Sequence, residues 1–301
     1  MPLKTCEEFL HDVHDPGLFR HEFKAVTAIE EVVVLGRRHG YGFTVAEFLE
    51  KARAFGAPGG DRPPAAPAGA GPTTVAHHEY ELADLPGFAP VLAELPRLKT
   101  MPPTVDAARF AGDFRAEDLD STSRNPTDPG YRAWHRRLAA AGWRDPGTPD
   151  APRRDFHLVN LDEHVEHDGY EEYFAAKRRV VSALENVFDG EVRCSGSLWY
   201  PPNSYRLWHT NEDDPGWRMY VVDFDRPFDD DGRTSFFRYL HPRTQELVTL
   251  TERPRTVRFF KVSQDPEQLL WHCIVNPTDR HRWSFGFVVP ENWMDGVRRN
   301  G

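Results

Sequence analysis

From residue 191 onward, short apolar segments alternate with turn-forming residues. Eight segments have the apolar, β-branched and aromatic composition of β-strands: 192–199, 204–209, 218–224, 235–240, 246–250, 256–262, 269–274 and 283–289. Asp214-Pro215-Gly216 and Asn276-Pro277 mark turns between them. Short strands at this spacing are typical of an all-β sandwich or jelly roll, and eight strands are what a jelly roll needs.

The first 56 residues have a helical pattern instead. Thr5 with Glu8 and Thr44 with Glu47 are two capping boxes, each followed by apolar residues at helical spacing. Residues 18–38 also place their apolar side chains at helical intervals. We therefore predict a small helical module over residues 1–56.

Residues 57–75 separate this module from the rest of the chain. The segment is rich in Pro, Gly and Ala and has no apolar periodicity, which is typical of a linker. Residues 76–301 then form the second domain, with its jelly-roll core at about 191–290 and an amphipathic helix predicted over 170–187. The predicted fold class is α+β: a small N-terminal helical module and a C-terminal jelly roll flanked by helices.

Composition narrows the function classes. The chain has 301 residues and a net charge of −10, which argues against a general nucleic-acid partner. It contains no apolar run near the ~20 residues of a membrane span, and its first residues do not have the pattern of a signal peptide. Three widely spaced cysteines favour reduced thiols over a disulfide framework. We expect a cytoplasmic protein with no membrane or nucleic-acid partner.

Two histidines are the first candidates for chemistry. His209 ends one predicted strand, and His272 lies in another. Imidazole nitrogens on facing strands are a common start of a non-haem iron site. Arg282 and Ser284 follow His272 and alternate with Trp283, so both side chains point to one face of their strand. A guanidinium and a hydroxyl on one face are suited to binding a carboxylate.

This His…Arg-x-Ser pattern resembles the 2-oxoglutarate/Fe(II)-dependent dioxygenases, which have a double-stranded β-helix. The resemblance spans roughly residues 170–293 and includes Tyr200, in a Trp-Tyr-Pro-Pro segment upstream of His209. It implies that His209 and His272 bind Fe(II). It also implies that Arg282 and Ser284 hold the distal carboxylate of 2-oxoglutarate, with Tyr200 assisting, and that O2 is the second co-substrate.

The proximal motif departs from that family. The family has His-x-Asp or His-x-Glu, whereas this chain has His209-Thr210-Asn211. Asn211 is the first candidate for a third ligand, since strand alternation points it the same way as His209. Asp213 has the same parity, and Asp214 is close. A third possibility is an open position, as in iron halogenases.

Three arginines are candidates for binding an acidic substrate: Arg206, Arg218 and Arg238. Arg206 and Arg238 are equally consistent with a role at a solvated sheet edge. Arg218 is also a candidate to support the metal motif from behind.

The N-terminal module has a resemblance of its own. Phe9-Leu10, the Gly40-Tyr41-Gly42-Phe43-Thr44 run and the following Glu47-Phe48 resemble the Nif11 domain, best known as the leader of ribosomally made peptide natural products. This resemblance implies a peptide or natural-product substrate.

The combined prediction is an Fe(II)/2-oxoglutarate oxygenase that hydroxylates a C–H bond. One alternative is a non-catalytic β-helix that has lost its metal carboxylate and binds a peptide or a small acid. Another is a leader-bearing precursor or scaffold, for which Gly59-Gly60 is a candidate cleavage site.

Overall fold

The fold is known from a computed structural model. It describes residues 3–13, 20–55, 77–145, 151–228 and 234–299. The predicted linker at 57–75, with Gly59-Gly60, lies outside the described residues.

The described part of the N-terminal module contains four helices: α1 (Cys6–Val13), α2 (Arg20–Phe23), α3 (Ile29–Arg38) and α4 (Val45–Phe55). Both capping boxes are confirmed. The Thr5 amide donates to Glu8 Oε2 at 2.7 Å, and the Thr44 amide donates to Glu47 Oε2 at 2.7 Å. The helical run predicted over 18–38 is broken between α2 and α3, where residues 24–28 form a turn and irregular backbone.

An aromatic cluster closes this module. The Phe9 ring lies 5.3 Å from the Tyr41 ring and 4.8 Å from the Phe43 ring, centroid to centroid. Gly40 has φ +83°, a conformation that favours glycine, and it brings Tyr41 back onto α1. Gly36 leaves room for the Phe43 ring, because a Cβ there would lie 2.6 Å from it. The glycines and aromatics of the motif thus build the core of the module.

Within the described ranges, six further helices surround the second domain. They are α5 (Ala89–Leu98), α6 (Ala107–Gly112), α7 (Ala116–Ser121), α8 (Pro129–Ala140), α9 (Tyr170–Phe188) and α10 (Trp293–Arg299). Helix α9 is the amphipathic helix predicted from sequence. No helix in the described ranges is both long enough and apolar enough to cross a membrane.

Eleven strands complete the described part of the domain. They are β1 (His77–Glu81), β2 (Phe156–His157), β3 (Val159–Asn160), β4 (Arg193–Tyr200), β5 (Ser204–His209), β6 (Gly216–Phe224), β7 (Phe236–Leu240), β8 (Leu247–Thr251), β9 (Thr256–Val262), β10 (His272–Asn276) and β11 (Arg282–Val289). Strands β4 to β11 correspond one for one to the eight predicted segments.

The strands form two antiparallel sheets. One has the order β1-β9-β6-β11-β4-β3, and the other has the order β2-β5-β10-β7-β8. Apart from the β7–β8 hairpin, consecutive strands from β4 to β11 alternate between the sheets. This alternation is the winding of a double-stranded β-helix, so the predicted jelly-roll architecture and the α+β class are confirmed.

Helices cover the outer faces of both sheets. Side chains of α5 and α9 pack with those of β4, β6, β9 and β11 in one apolar cluster. Tyr131, Trp134 and Leu138 of α8 pack against the outward side chains of β5 and β10. All three cysteines are buried and unpaired, as the sequence predicted. The inner faces of the two sheets are left facing each other, and polar side chains gather there.

A buried ion cluster joins the N-terminal module to α9. Lys177 Nζ lies 2.9 Å from Glu31 Oε1 on α3 and 2.8 Å from Asp162 Oδ1. All three side chains are at most 2% exposed. Tyr173 and Thr27 also donate hydrogen bonds to Asp162. The module is therefore packed against the second domain through charged groups that are almost completely buried.

Candidate functional site

His209 and His272 meet between the two sheets. They are direct partners across the antiparallel β5–β10 pair, and their ring centroids are 4.0 Å apart. The His272 ring also lies against Phe237 and Phe260 of the surrounding strands, with centroids 5.4 Å and 5.3 Å away. Two histidines that are 63 positions apart in the chain are thus in direct contact inside the domain.

Backbone carbonyls define the tautomer of both rings. His209 Nδ1 lies 2.7 Å from the Leu207 carbonyl oxygen, and His272 Nδ1 lies 2.8 Å from the Leu270 carbonyl oxygen. A carbonyl oxygen only accepts, so each Nδ1 carries the proton and each Nε2 keeps its lone pair. Burial lowers the pKa of His209 well below its ordinary value and lowers that of His272 to about 3. Both imidazoles are therefore neutral at physiological pH.

These two rings fit a metal ion. A neutral imidazole whose Nδ1–H is anchored to a carbonyl, with its Nε2 lone pair free, is the usual form of a histidine ligand. His209 Nε2 is buried and has no hydrogen-bond partner. Among the described residues, no three His, Cys, Asp or Glu side chains come close enough to form a complete metal site. The donor set is thus two imidazoles without a carboxylate.

An irregularity in β5 brings Arg206 to the same side as His209. Across β10, His272 pairs with His209 but Ile274 pairs with Arg206, so three residues of β5 span two of β10. In a regular strand, side chains three positions apart point to opposite faces, and the extra residue of a β-bulge removes this opposition. Arg206 and His272 consequently both line the inner cavity.

Asn211 also faces the histidines, although not by strand alternation. Strand β5 ends at His209, and Asn211 has φ +58°, in the left-handed region. Its Nδ2 lies 3.3 Å from His272 Nε2, and its Oδ1 accepts a hydrogen bond from Arg206 Nη2 at 3.0 Å. Asn211 is therefore next to the histidine pair, with its amide nitrogen nearer to them than its oxygen.

The two acidic candidates for a third metal ligand, Asp213 and Asp214, have other surroundings. Asp213 is exposed in the turn after β5. Asp214 pairs with Arg193 at 2.5 Å and with Arg218 at 2.7 Å. Arg218 is thereby committed to the turn that follows the histidine strand.

Arg238 lies outside the cavity. Its Nε donates to Thr249 Oγ1 at 2.8 Å, and its Nη1 donates to the Thr122 carbonyl at 2.9 Å. It alternates along β7 with Phe237, which lines the cavity. The structure therefore does not bring Arg238 to the histidines.

Arg282, Ser284 and Tyr200 do line the cavity. They share it with an apolar set and with further polar groups, namely Leu198, Val222, Phe237, Phe260, Ile274, Arg206, Tyr220, Arg258 and His272. The Arg282 guanidinium lies over the Tyr200 ring, with Cζ 4.4 Å from the centroid. Alternation along β11 places Arg282 and Ser284 inside while Trp283 packs outside and donates to the Thr100 carbonyl at 2.9 Å.

Glu252 and Arg258 are site residues that the sequence analysis missed. The Glu252 carboxylate accepts hydrogen bonds from both Nε and Nη2 of Arg282, and its Oε1 lies 3.1 Å from Arg258 Nη1. Burial alone would raise the pKa of Glu252, but the two guanidinium groups lower it to about 2. Arg258 also pairs with Glu79 at 2.9 Å. The sequence does contain a signal for Arg258, which is a charged residue within the apolar run 256–262. A buried arginine needs an acidic partner, so this position indicates a nearby carboxylate.

The comparisons support the N-terminal resemblance directly. Residues 1–48 match the Nif11 domain. No curated protein matches the chain. The remaining comparisons are with solved structures.

Several solved structures are remotely similar to this chain. A Pseudomonas putida prolyl-4-hydroxylase is 16% identical, over 60% of this chain and 89% of that one, with a TM-score of 0.28. A 2OG-Fe(II) oxygenase-family oxidoreductase from Burkholderia pseudomallei is 12% identical, over 64% and 96%, with a TM-score of 0.31. The Drosophila melanogaster CENP-C cupin domain is 10% identical, over 54% and 99%, with a TM-score of 0.24.

Proposed function

We propose that this protein is an Fe(II)- and 2-oxoglutarate-dependent oxygenase. The observation that carries the proposal is the pair of neutral imidazoles, His209 and His272, whose ring centroids lie 4.0 Å apart at the edge of a cavity lined by arginines. A divalent metal needs such lone pairs, and a keto diacid needs cationic donors at a distance from the metal. His272 and the arginines Arg206, Arg258 and Arg282 line the same cavity, and His209 lies against His272.

Each residue has a defined task in this proposal. His209 and His272 hold the metal, and the Leu207 and Leu270 carbonyls keep both rings in the ligand tautomer. Bound Fe(II) with 2-oxoglutarate supplies O2 activation, coupled to release of succinate and CO2 and hydroxylation of a substrate C–H bond.

Arg282 and Ser284 orient 2-oxoglutarate. Arg282 Nη1 is buried and without a hydrogen-bond partner, so one donor of the guanidinium is left for the distal carboxylate. The Tyr200 ring supports the guanidinium from one face. The apolar side chains Leu198, Val222 and Ile274 line the same cavity and exclude water from the space between His272 and Arg282.

A peptide or peptide-derived natural product is the proposed substrate class, with hydroxylation as the outcome. The support is the Nif11 match at residues 1–48. We further propose that residues 1–56 and 76–301 are the two domains, since the former builds its own aromatic core.

Release of succinate tests this function. With Fe(II), 2-oxoglutarate and O2, wild type is expected to form succinate, whereas His272→Ala and Arg282→Ala are expected to lose most of this turnover. Arg238→Ala is the matched control, because that arginine lies outside the cavity. Equal turnover by wild type and both site variants would contradict the proposal.

One observation favours a second candidate. The histidine pair has an amide beside it, where a carboxylate would bind Fe(II) more tightly. A non-catalytic domain that binds a small acid or a peptide in the same cavity would need no such carboxylate. Under this alternative, 2-oxoglutarate binding would be retained with no succinate formed.

A further inference from the structure

The histidine pair is bordered by one hydrogen-bond donor that has no acceptor and by a second donor whose acceptor is a histidine nitrogen. Arg206 Nε is buried, lacks a partner and belongs to a side chain that lines the cavity. The Asn211 amide nitrogen lies 3.3 Å from His272 Nε2. Once a metal takes the Nε2 lone pair, that amide N–H also loses its acceptor. A buried donor such as Arg206 Nε requires a partner, because a buried polar group without a hydrogen bond costs free energy.

Arg206 determines which end of the Asn211 amide faces the histidines. A guanidinium only donates, so the Asn211 atom 3.0 Å from Arg206 Nη2 must be the oxygen. Reversing the amide would place its NH2 group against the guanidinium. Arg206 therefore keeps the N–H end of Asn211 toward the metal position and the oxygen end away from it.

The charges lead to the same conclusion. Asn211 is neutral, and Arg206 is a cation. The nearby carboxylates are engaged elsewhere: Glu252 by Arg282 and Arg258, and Asp214 by Arg193 and Arg218. A divalent metal held by this pair would lie beside an uncompensated guanidinium, and an anion between them would remove the repulsion.

We propose that Arg206 and Asn211 form a site for an exogenous monoanion, which takes the position of the missing protein carboxylate on the metal. Arg206 is the positioning residue: it orients the Asn211 amide and provides a second donor through Nε. The ligand class is a small monoanion or a carboxylate group carried by the substrate. This inference rests on the proposed function, because it requires a metal at the histidine pair.

The proposed site is tested by measuring whether an anion increases the affinity of the protein for a metal ion. Co(II) is titrated into the full-length protein without 2-oxoglutarate, at constant ionic strength, with and without formate, chloride being a parallel arm. Wild type is expected to bind Co(II) about tenfold or more tightly with formate, and the visible Co(II) spectrum is expected to shift. Equal affinity with and without either anion would overturn the proposal.

Three variants separate this role from a structural one. Arg206→Met is expected to bind Co(II) but to lose the formate effect, and Arg206→Lys is expected to recover part of it. Asn211→Asp is expected to bind Co(II) more tightly than wild type without formate and to show no formate effect. Arg238→Met, on the outer face of the same sheet, is the control and should keep the wild-type effect. A formate effect that survives Arg206→Met would overturn the proposal.

A final arm adds saturating 2-oxoglutarate. The formate effect is expected to persist, because the anion site is separate from the position of the co-substrate. Loss of the effect would show that formate had occupied that position, and the inference would fall. Co(II) binding without any formate effect would contradict this inference alone, whereas absence of Co(II) binding would contradict both it and the proposed function.

Discussion

Arg282 and Glu252 form a bidentate ion pair inside the β-helix. The two nitrogen–oxygen distances are 2.7 Å and 2.8 Å, and both side chains are almost completely buried. Glu252 lies just past the end of β8, on the opposite sheet from Arg282. The arginine that we assign to the co-substrate is thus held in one orientation before any ligand arrives, which reduces the entropy lost on binding.

Replacing Arg282 by lysine should weaken 2-oxoglutarate binding. A lysine cannot bind Glu252 bidentately and still direct a second donor to the ligand. We expect the dissociation constant of anaerobic Fe(II)-loaded protein for 2-oxoglutarate to rise about tenfold or more, since a hydrogen bond to a charged group contributes about 1.5–3 kcal/mol. Titration calorimetry measures this change. Arg253→Lys, at an exposed position, is the control, and equal affinity for all three proteins would refute the assignment.

The eight core strands could be predicted because their signals are local. Segments such as 204–209 and 256–262 are apolar runs between turn residues, and the structure reproduces their bounds. Alternation likewise predicted that Arg282 and Ser284 share a face. These features depend only on the two-residue period of a strand.

The charged contacts of the cavity could not be predicted in the same way. Glu252 and Arg282 meet because two sheets stack, and no local pattern encodes that approach. The β5 bulge, which brings Arg206 beside His209, depends on the register with β10 and is invisible in β5 alone. Strand alternation was also the wrong reason for the position of Asn211, which lies past the strand with a left-handed backbone.

Removing Lys177 should destabilise the whole chain. Lys177→Met leaves Glu31 and Asp162 buried side by side without a cation, and breaking a buried pair in this way costs about 3–5 kcal/mol. The free energy of unfolding from denaturant titration measures the loss. Arg178→Met is the neighbouring control: its exposed pair with Glu22 should contribute under about 1 kcal/mol. Equal effects of the two variants would argue against a tightly packed module.

Glu31 should make stability pH-dependent. Burial and then the nearby Asp162 raise the pKa of Glu31 from 4.5 to about 7. Between pH 4.5 and about 7, Glu31 keeps its proton in the folded state but has lost it in the unfolded state. The contribution of Glu31 is therefore present below pH 4.5 and is lost as the pH rises toward 7, by about 1.4 kcal/mol per unit.

The difference in unfolding free energy between wild type and Glu31→Gln measures this term. That difference should move against wild type as the pH rises from 5 to about 7. A difference that does not change over this range would contradict the raised pKa.

Gly36 should not tolerate a methyl group. A Cβ at this position would lie 2.6 Å from two atoms of the Phe43 ring, which is itself packed against Phe9. Gly36→Ala should therefore destabilise the module by about 1–3 kcal/mol, despite the better helix propensity of alanine. Gly112→Ala is the control, because nothing lies within 4 Å of its Cβ, and it should be neutral or stabilising by up to about 1 kcal/mol. Thermal unfolding of the two variants compares them.

The convergence of His209 and His272 on one metal ion is the central claim, and an anomalous difference map of crystals grown anaerobically with Fe(II) tests it most directly. The account predicts a single strong iron peak at bonding distance from both Nε2 atoms. Full occupancy of iron at another position, or no peak between the two rings, would contradict it.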